Sequence, residues 1–305
     1  MKFIIRVLLA VAFCVATVSS AHAAERIKVV ATLSTFADLA KTIGGEQVEV
    51  RAVASPRFNA HFIEPKPGDV LRLKRADLFI HGGLDLEAWR GPLLDAAGNR
   101  NALPGQPGEL DLSHGVHLLE VPDHALSRAD GDIHLYGNPH VWLHPDNVRV
   151  MARAIAAKLS EMDPAHAAEY EANLGAFLVR LDAKQAEWLA KLAPFRGAEL
   201  VGYHNEWIYF AEFAGLKMPL FLEPKPGIPP TPKHLETVEH FIRSNGVKAI
   251  VQSSYASTAA AESLAKRTGA RVVVLCQNVG EQDACSDTIA MFDTNVSRIV
   301  EALGQ

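Results

Sequence analysis

Cysteine is scarce in this 305-residue chain, which has three: Cys14 in an N-terminal run treated below, then Cys276 and Cys285. Two cysteines without a second pair nearby do not make the four-thiolate framework of a structural zinc module. In an exported chain, this pair instead favours one disulfide closing a short surface loop. Positive charge is also short, with 30 Lys and Arg against 35 Asp and Glu and a formal net charge of −5. No basic block is present, so an extended nucleic-acid or anionic-membrane footprint has no support. The usual catalytic spacings are missing as well. There is no H-E-x-x-H, H-x-x-E-H, G-x-S-x-G or P-loop, and Gly82-Gly83 follows an expected strand without the rest of a dinucleotide fingerprint.

Long apolar runs are absent beyond the first two dozen residues. There, Met1-Lys2 and Arg6 form a positive start, Val7 to Val18 is apolar, and Ser19-Ser20-Ala21-His22-Ala23 places small residues before a cleavage after Ala23. That pattern is a secretory signal, too short for a stable span of a ~30 Å hydrocarbon core. Cys14 sits inside the apolar run behind bulky Phe13, which argues against a lipoprotein anchor. Removal of the signal leaves 28 basic and 35 acidic residues, a more acidic mature chain expected in the periplasm.

What remains is a globular composition, 49% hydrophobic and 21% charged, long enough for two domains with their own cores. Ile27–Leu33, Val48–Val53 and Ala76–Ile80 read as strands, separated by helices over Phe36–Ile43 (capped by Ser34 or Thr35) and about Asp69–Arg75. Asn99–Gly108 and Pro122–Asp132 are rich in turn residues and read as surface excursions. Asp146 opens a helical stretch. Behind Asp163-Pro164 a second helix of about 28 residues runs to Leu192, with Tyr170, Leu174, Phe177, Leu181, Trp188 and Leu192 at helical spacings. The alternation then resumes with strands at Glu199–Tyr203, Pro219–Leu222, Val247–Val251 and Arg271–Leu275. Helices are expected over Trp207–Ala214, Leu235–Arg243, Ala259–Arg267 and Ile289–Leu303. The expected fold is α/β, two similar parallel-sheet lobes joined by a long rigid helix. Its expected parts are a signal peptide at 1–23, an N-terminal lobe at 24–145, inter-lobe helices including the strut at 146–192, and a C-terminal lobe at 193–305.

Three histidines fall where such a fold collects ligands. His61 lies in the loop beyond the Val48–Val53 strand, His204 follows the Glu199–Tyr203 strand, and His140 precedes the inter-lobe helices. Ligands of open α/β sheets gather beyond the carboxyl ends of strands, so two lobes facing one cleft bring the three imidazoles together. Neutral imidazole is a good zinc ligand when its second nitrogen is held by an acceptor. Six histidines between residues 114 and 144 (His114, His117, His124, His134, His140 and His144) also fit a loose metal-gathering segment or a plain polar loop.

Several segments, in order, resemble the solute-binding proteins of zinc/manganese ABC importers, the cluster 9 or high-affinity zinc-uptake binding proteins. They are His61-Phe62-Ile63-Glu64-Pro65-Lys66-Pro67-Gly68-Asp69, Arg75-Ala76-Asp77-Leu78-Phe79-Ile80, Leu84-Asp85-Leu86-Glu87-Ala88-Trp89 and Asn138-Pro139-His140-Val141-Trp142-Leu143-His144-Pro145-Asp146-Asn147. His204-Asn205-Glu206-Trp207-Ile208-Tyr209-Phe210, Gly246–Ile250 and Thr268–Leu275 continue the match. The resemblance implies no enzyme activity but capture of a divalent metal at His61, His140 and His204, with delivery to a cognate inner-membrane ABC permease. It implies a monomer without nucleic-acid partners; a metallochaperone is a further candidate partner. Manganese-type members commonly carry a glutamate where His204 stands, which favours Zn²⁺ over Mn²⁺ as the transported ligand.

The chain departs from the pattern at two acidic positions, replaced by Cys276 and by Gln252-Ser253. The fourth ligand therefore stays open among water, Cys276, Asp287, Glu206, Glu64 and His134, and a disulfide would remove Cys276. The lowered negative charge implies a site that tolerates water and exchanges metal readily. Manganese or another divalent metal is the nearest alternative. A zinc hydrolase, with Glu64 or Glu206 as base, and an adhesion or structural protein are the alternatives from other classes.

Overall fold

The computed structural model describes residues 26–123 and 134–304. The expected signal peptide, His124 and most of the Pro122–Asp132 excursion lie outside the described residues.

The N-terminal half builds a sheet from β1 (Ile27–Ala31), β2 (Val48–Ala52), β3 (Leu78–His81) and β4 (Glu109–Asp111), in the order β2-β1-β3-β4. Every pairing is parallel, so each return needs a crossover. α1 (Ser34–Gly44), α2 (Pro67–Lys74) and α3 (Arg90–Ala97) make those crossovers. The second half repeats the plan with β5 (Glu199–Gly202), β6 (Lys217–Phe221), β7 (Ala249–Ser253) and β8 (Arg271–Leu275), also parallel and ordered β6-β5-β7-β8. Its helices are α6 (Ile208–Ala214), α7 (Pro232–Asn245), α8 (Ala259–Thr268) and α9 (Thr288–Gly304). β7 is buried at all five positions, as expected of a strand covered on both faces.

α4 (Pro145–Met162) and α5 (Ala167–Leu192) join the lobes. α5 runs 26 residues and buries one stripe, Tyr170, Leu174, Phe177, Leu178, Leu181, Trp188 and Leu192, while Val179 on the other side is 70% exposed. This 3.6-period stripe packs against α1 of one lobe and α9 of the other. Trp188 stacks on Phe292 of α9 at 5.3 Å between ring centroids and donates from Nε1 to Asp293 Oδ1 at 2.7 Å. A single apolar cluster runs from α1 through α4 and α5 into α9, so the two lobes share a core.

Local details depart from expectation for identifiable reasons. Ser34 and Thr35 are inside α1 and do not cap it, because their hydroxyls reach the other lobe. Ser34 Oγ donates to the Val279 carbonyl at 2.7 Å, and Thr35 Oγ1 accepts from the Val279 N–H at 3.1 Å. Cys276 and Cys285 do form a disulfide, but both are fully buried. The loop they close is docked on α1 instead of lying on the surface. α4 starts at Pro145, with His144 Nδ1 accepting the Asp146 N–H at 3.1 Å as the cap. Pro164–His166 forms a 3₁₀ turn ahead of α5. β4 and α3 were not anticipated: a three-residue strand and an eight-residue helix carry too little periodicity to read.

Candidate metal centre

The cluster is assembled from three chain segments, each fixed by its own hydrogen bonds. The loop after β2 is pinned by Trp89 Nε1, which donates to the Ala60 carbonyl at 2.8 Å, and Asn59 Oδ1 accepts from the His61 N–H at 3.0 Å. The Leu86 backbone acts on the His61 ring, favouring its protonated form against the larger effect of burial. Leu86 is delivered by a turn in which Gly83, Leu84 and Asp85 all have positive φ (70°, 54° and 60°), a run costly for the two residues that carry a Cβ. Glu87 ties this turn to the sheet, accepting from Thr32 Oγ1 at 2.6 Å and the Gly82 N–H at 2.8 Å.

His140 is almost wholly enclosed, 1% exposed, beside Trp142. Asn138 Oδ1 accepts from both the His140 N–H (3.1 Å) and Nδ1 (2.9 Å), while Asn138 Nδ2 donates across the lobes to the Asn205 carbonyl at 2.7 Å. His204 follows β5, and its Nδ1 lies 2.7 Å from Glu223 Oε2, which also accepts the Gly227 N–H at 2.9 Å and so anchors the proline-rich segment after β6. A carboxylate or an amide oxygen only accepts, so Nδ1 is the protonated nitrogen of His140 and His204. Their Nε2 atoms then carry lone pairs.

His61 Nε2 and His140 Nε2 are 3.2 Å apart, and one ligand nitrogen from each of His61, His140 and His204 lies within 4.8 Å of the others. Burial, and then the neighbouring His134 and His204, push the His61 pKa down to about 3. His140 is pushed well below its ordinary range, by burial first and then by His61, His204 and His134. Both rings are neutral at pH 7, the state a metal requires.

The other candidates scatter. His134 joins the cluster by stacking on His61 at 5.0 Å between centroids. Cys276 is committed to its disulfide, Asp287 accepts the Ala290 N–H in the first turn of α9, and Glu64 is exposed. Glu206 is buried beside His204, accepting from Ser253 Oγ, Tyr255 OH and Gln277 Nε2. Burial, the largest influence, raises its pKa above the ordinary carboxylate range. Of the remaining histidines, His117 Nε2 meets Glu212 Oε1 across the lobes at 3.2 Å, and His144 serves as the α4 cap. Asn138 and Glu223 were not anticipated as supports. Asn138 could have been found from its place two residues before His140, whereas Glu223, 19 positions after His204, carries no local signal.

Two parallel-sheet lobes on a helical strut, with three imidazoles converging where they meet, define a solute-binding protein of the metal-capturing kind. The family described as "ZnuA: Zinc-uptake complex component A periplasmic" matches residues 29–302, and the chain belongs to it. Among relatives, the iron-binding protein YfeA of Yersinia pestis is 27% identical over 92% of this chain and 88% of its own length. The manganese ABC transporter substrate-binding lipoprotein PsaA of Streptococcus pneumoniae is 24% identical over 96% and 94%. A crystal structure of ZnuA superposes with a TM-score of 0.76 at 25% identity, covering 91% of this chain and 99% of that one. The chain is thus a periplasmic, non-catalytic component of an ABC importer that binds a divalent transition metal, and its family implies a cognate permease.

Proposed function

We propose that the metal is zinc and that His61, His140 and His204 hold it. The observation that carries this reading is the facing pair of Nε2 atoms, 3.2 Å apart, with the His140 hydrogen committed to Asn138 on the far side of the ring. A lone pair aimed at another ring nitrogen is favourable when a cation or a proton is shared between them. A tetrahedral zinc with Zn–N bonds of ~2.0–2.1 Å separates its nitrogen donors by roughly 3.3–3.4 Å, close to that spacing. An all-nitrogen donor set suits borderline Zn²⁺ better than Mn²⁺, which favours oxygen-rich sites. Manganese is the second reading, favoured by the likeness to the manganese transporter lipoprotein of Streptococcus pneumoniae. With three histidines as the donors that lie together among the described residues, the fourth position is left to water or to His134, so cargo exchanges by ligand substitution and passes unreacted to the permease.

Competition calorimetry with Zn²⁺ and Mn²⁺ on the metal-stripped protein tests the choice of metal: tighter binding of Mn²⁺ would sink the zinc reading. A metal-soaked crystal with anomalous scattering at the zinc edge tests the ligands. Density away from the three imidazoles would reject them.

A further inference from the structure

The seam between His140 and His204 is spanned by side chains from both lobes, and one of them stands on a strained backbone. Glu120 has φ 52°, a left-handed conformation that is unfavourable for a residue with a Cβ and persists only where its surroundings hold it. Its Oε2 accepts from Asn205 Nδ2 at 2.6 Å and from Asn138 Nδ2 at 3.2 Å. Asn138 precedes His140 by two residues, and Asn205 follows His204 directly. Asn138 gives its other amide hydrogen to the Asn205 carbonyl at 2.7 Å, while its Oδ1 accepts from the His140 N–H and Nδ1. Glu120 therefore completes an amide that has two hydrogens to donate. Asn205 depends on it more. Among the described residues its buried Oδ1 has no hydrogen-bond partner, so Glu120 is the one group that hydrogen-bonds the Asn205 side chain.

Resting on the reading that His61, His140 and His204 hold the metal, we propose that Glu120 is a positioning residue for the site. By gathering the Asn138 and Asn205 amides onto one oxygen, it sets His140 and His204 at the spacing the metal needs. The path is continuous, from His140 Nδ1 through Asn138 to Glu120, and on through Asn205 to the adjoining backbone of His204. The direct bond from Asn138 to the Asn205 carbonyl is a single anchor between these segments. Glu120 adds a second, so they cannot pivot about one bond. Ligands presented by different lobes need that restraint, because a site holds its geometry to within ~0.5 Å only when its supporting contacts are fixed. Glu120 acts here as an acceptor and not as a charge, since the arrangement requires only one oxygen facing two N–H groups. Its side chain is exposed, so an amide in its place keeps that oxygen and turns its NH₂ group to water.

The test is Zn²⁺ competition titration of the metal-stripped mature protein, with the absorption spectrum of bound Co²⁺ reporting coordination geometry and a thermal melt of each variant. Glu120→Ala is expected to weaken Zn²⁺ about tenfold, the lower end for groups that support metal ligands, and to shift the Co²⁺ bands. Glu120→Gln, which keeps the acceptor, is expected to lose less than about threefold, clear of that range, and to keep the wild-type Co²⁺ bands. Asn205→Ala should weaken Zn²⁺ on its own, yet weaken it no further when added to Glu120→Ala, because the two act through one contact. A merely structural role would lower the melting temperature of Glu120→Ala and leave Zn²⁺ affinity and the Co²⁺ bands unchanged. That result, a Glu120→Gln loss equal to that of Glu120→Ala, or additive losses in the double variant would overturn the proposal. If Glu120→Ala does not fold, Asn205→Ala decides: weaker Zn²⁺ with shifted Co²⁺ bands upholds the proposal, and unchanged values sink it. Wild type and His140→Ala binding Zn²⁺ equally would instead overturn the three-histidine reading itself.

Discussion

The two lobes share one strand order but contribute to the cluster by different chemistry. On the N-terminal side, His140 is steadied by a neutral acceptor, Asn138, and the His61 N–H by Asn59. On the C-terminal side, His204 leans on the carboxylate of Glu223, with Glu206 and Glu281 buried behind it. Similar folds therefore divide the labour, the first lobe enclosing the cluster and the second supporting His204 through a side-chain carboxyl group. The strut and shared core keep the halves in register, and Asn138 bridges them through the Asn205 carbonyl.

The largest effect should come from breaking what joins the halves. Trp188→Ala removes a buried ring that stacks on Phe292 and donates to Asp293. It should cost about 3–5 kcal/mol of stability by denaturant melts. Metal affinity at low temperature should change far less; a large affinity loss with little destabilisation would show that the strut tunes the site directly. Next, His140→Ala removes the most enclosed imidazole and should weaken zinc on the order of a hundredfold or more, judged from the free energies of structural zinc sites. His61→Ala, on the more open side, should weaken it less, and the reverse ranking in calorimetry would undo the idea of an enclosing first lobe.

A sharper comparison sets Glu223→Gln against Asn138→Ala. Both remove a partner of a ligand's second nitrogen, for which losses of about 10–100-fold are usual. The charged partner should sit at the upper end and the neutral one at the lower. Equal losses would mean that orientation matters and charge does not.

The smallest effect is on pH dependence. Burial lowers His61 to about 3 from an ordinary 6.5, and His140 moves the same way. Between those values the unfolded chain binds more protons than the folded one, so stability rises with pH. The contribution is complete above about pH 6.5 and is lost as pH falls toward 3. The metal-free protein should melt at a lower temperature at pH 5 than at pH 7.5, and His61→Ala should flatten that slope. An unchanged slope would show that His61 does not hold a depressed pKa.

Much of the fold was legible because long periodic segments speak locally. The α5 stripe from Tyr170 to Leu192 could be read from spacing alone, as could apolar strands such as Arg271–Leu275. Short elements such as β4 were not legible, since their pairing with β3 lies outside their own three residues. Side chains with two plausible uses were misassigned. Ser34 and Thr35 look like caps in one dimension, yet the docked loop at Val279 claims them.

By itself, the sequence determined that the chain is α/β and which loops carry histidine. Those properties follow from local patterning and residue chemistry. Only the tertiary structure decided that three imidazoles separated by up to 143 positions come within reach of one another. It also decided that Cys276 is spent on a disulfide and that Glu206 is held by Ser253, Tyr255 and Gln277. The reason is physical: desolvation and electrostatic fields depend on distances in space, and the packing of two lobes on one strut sets those distances.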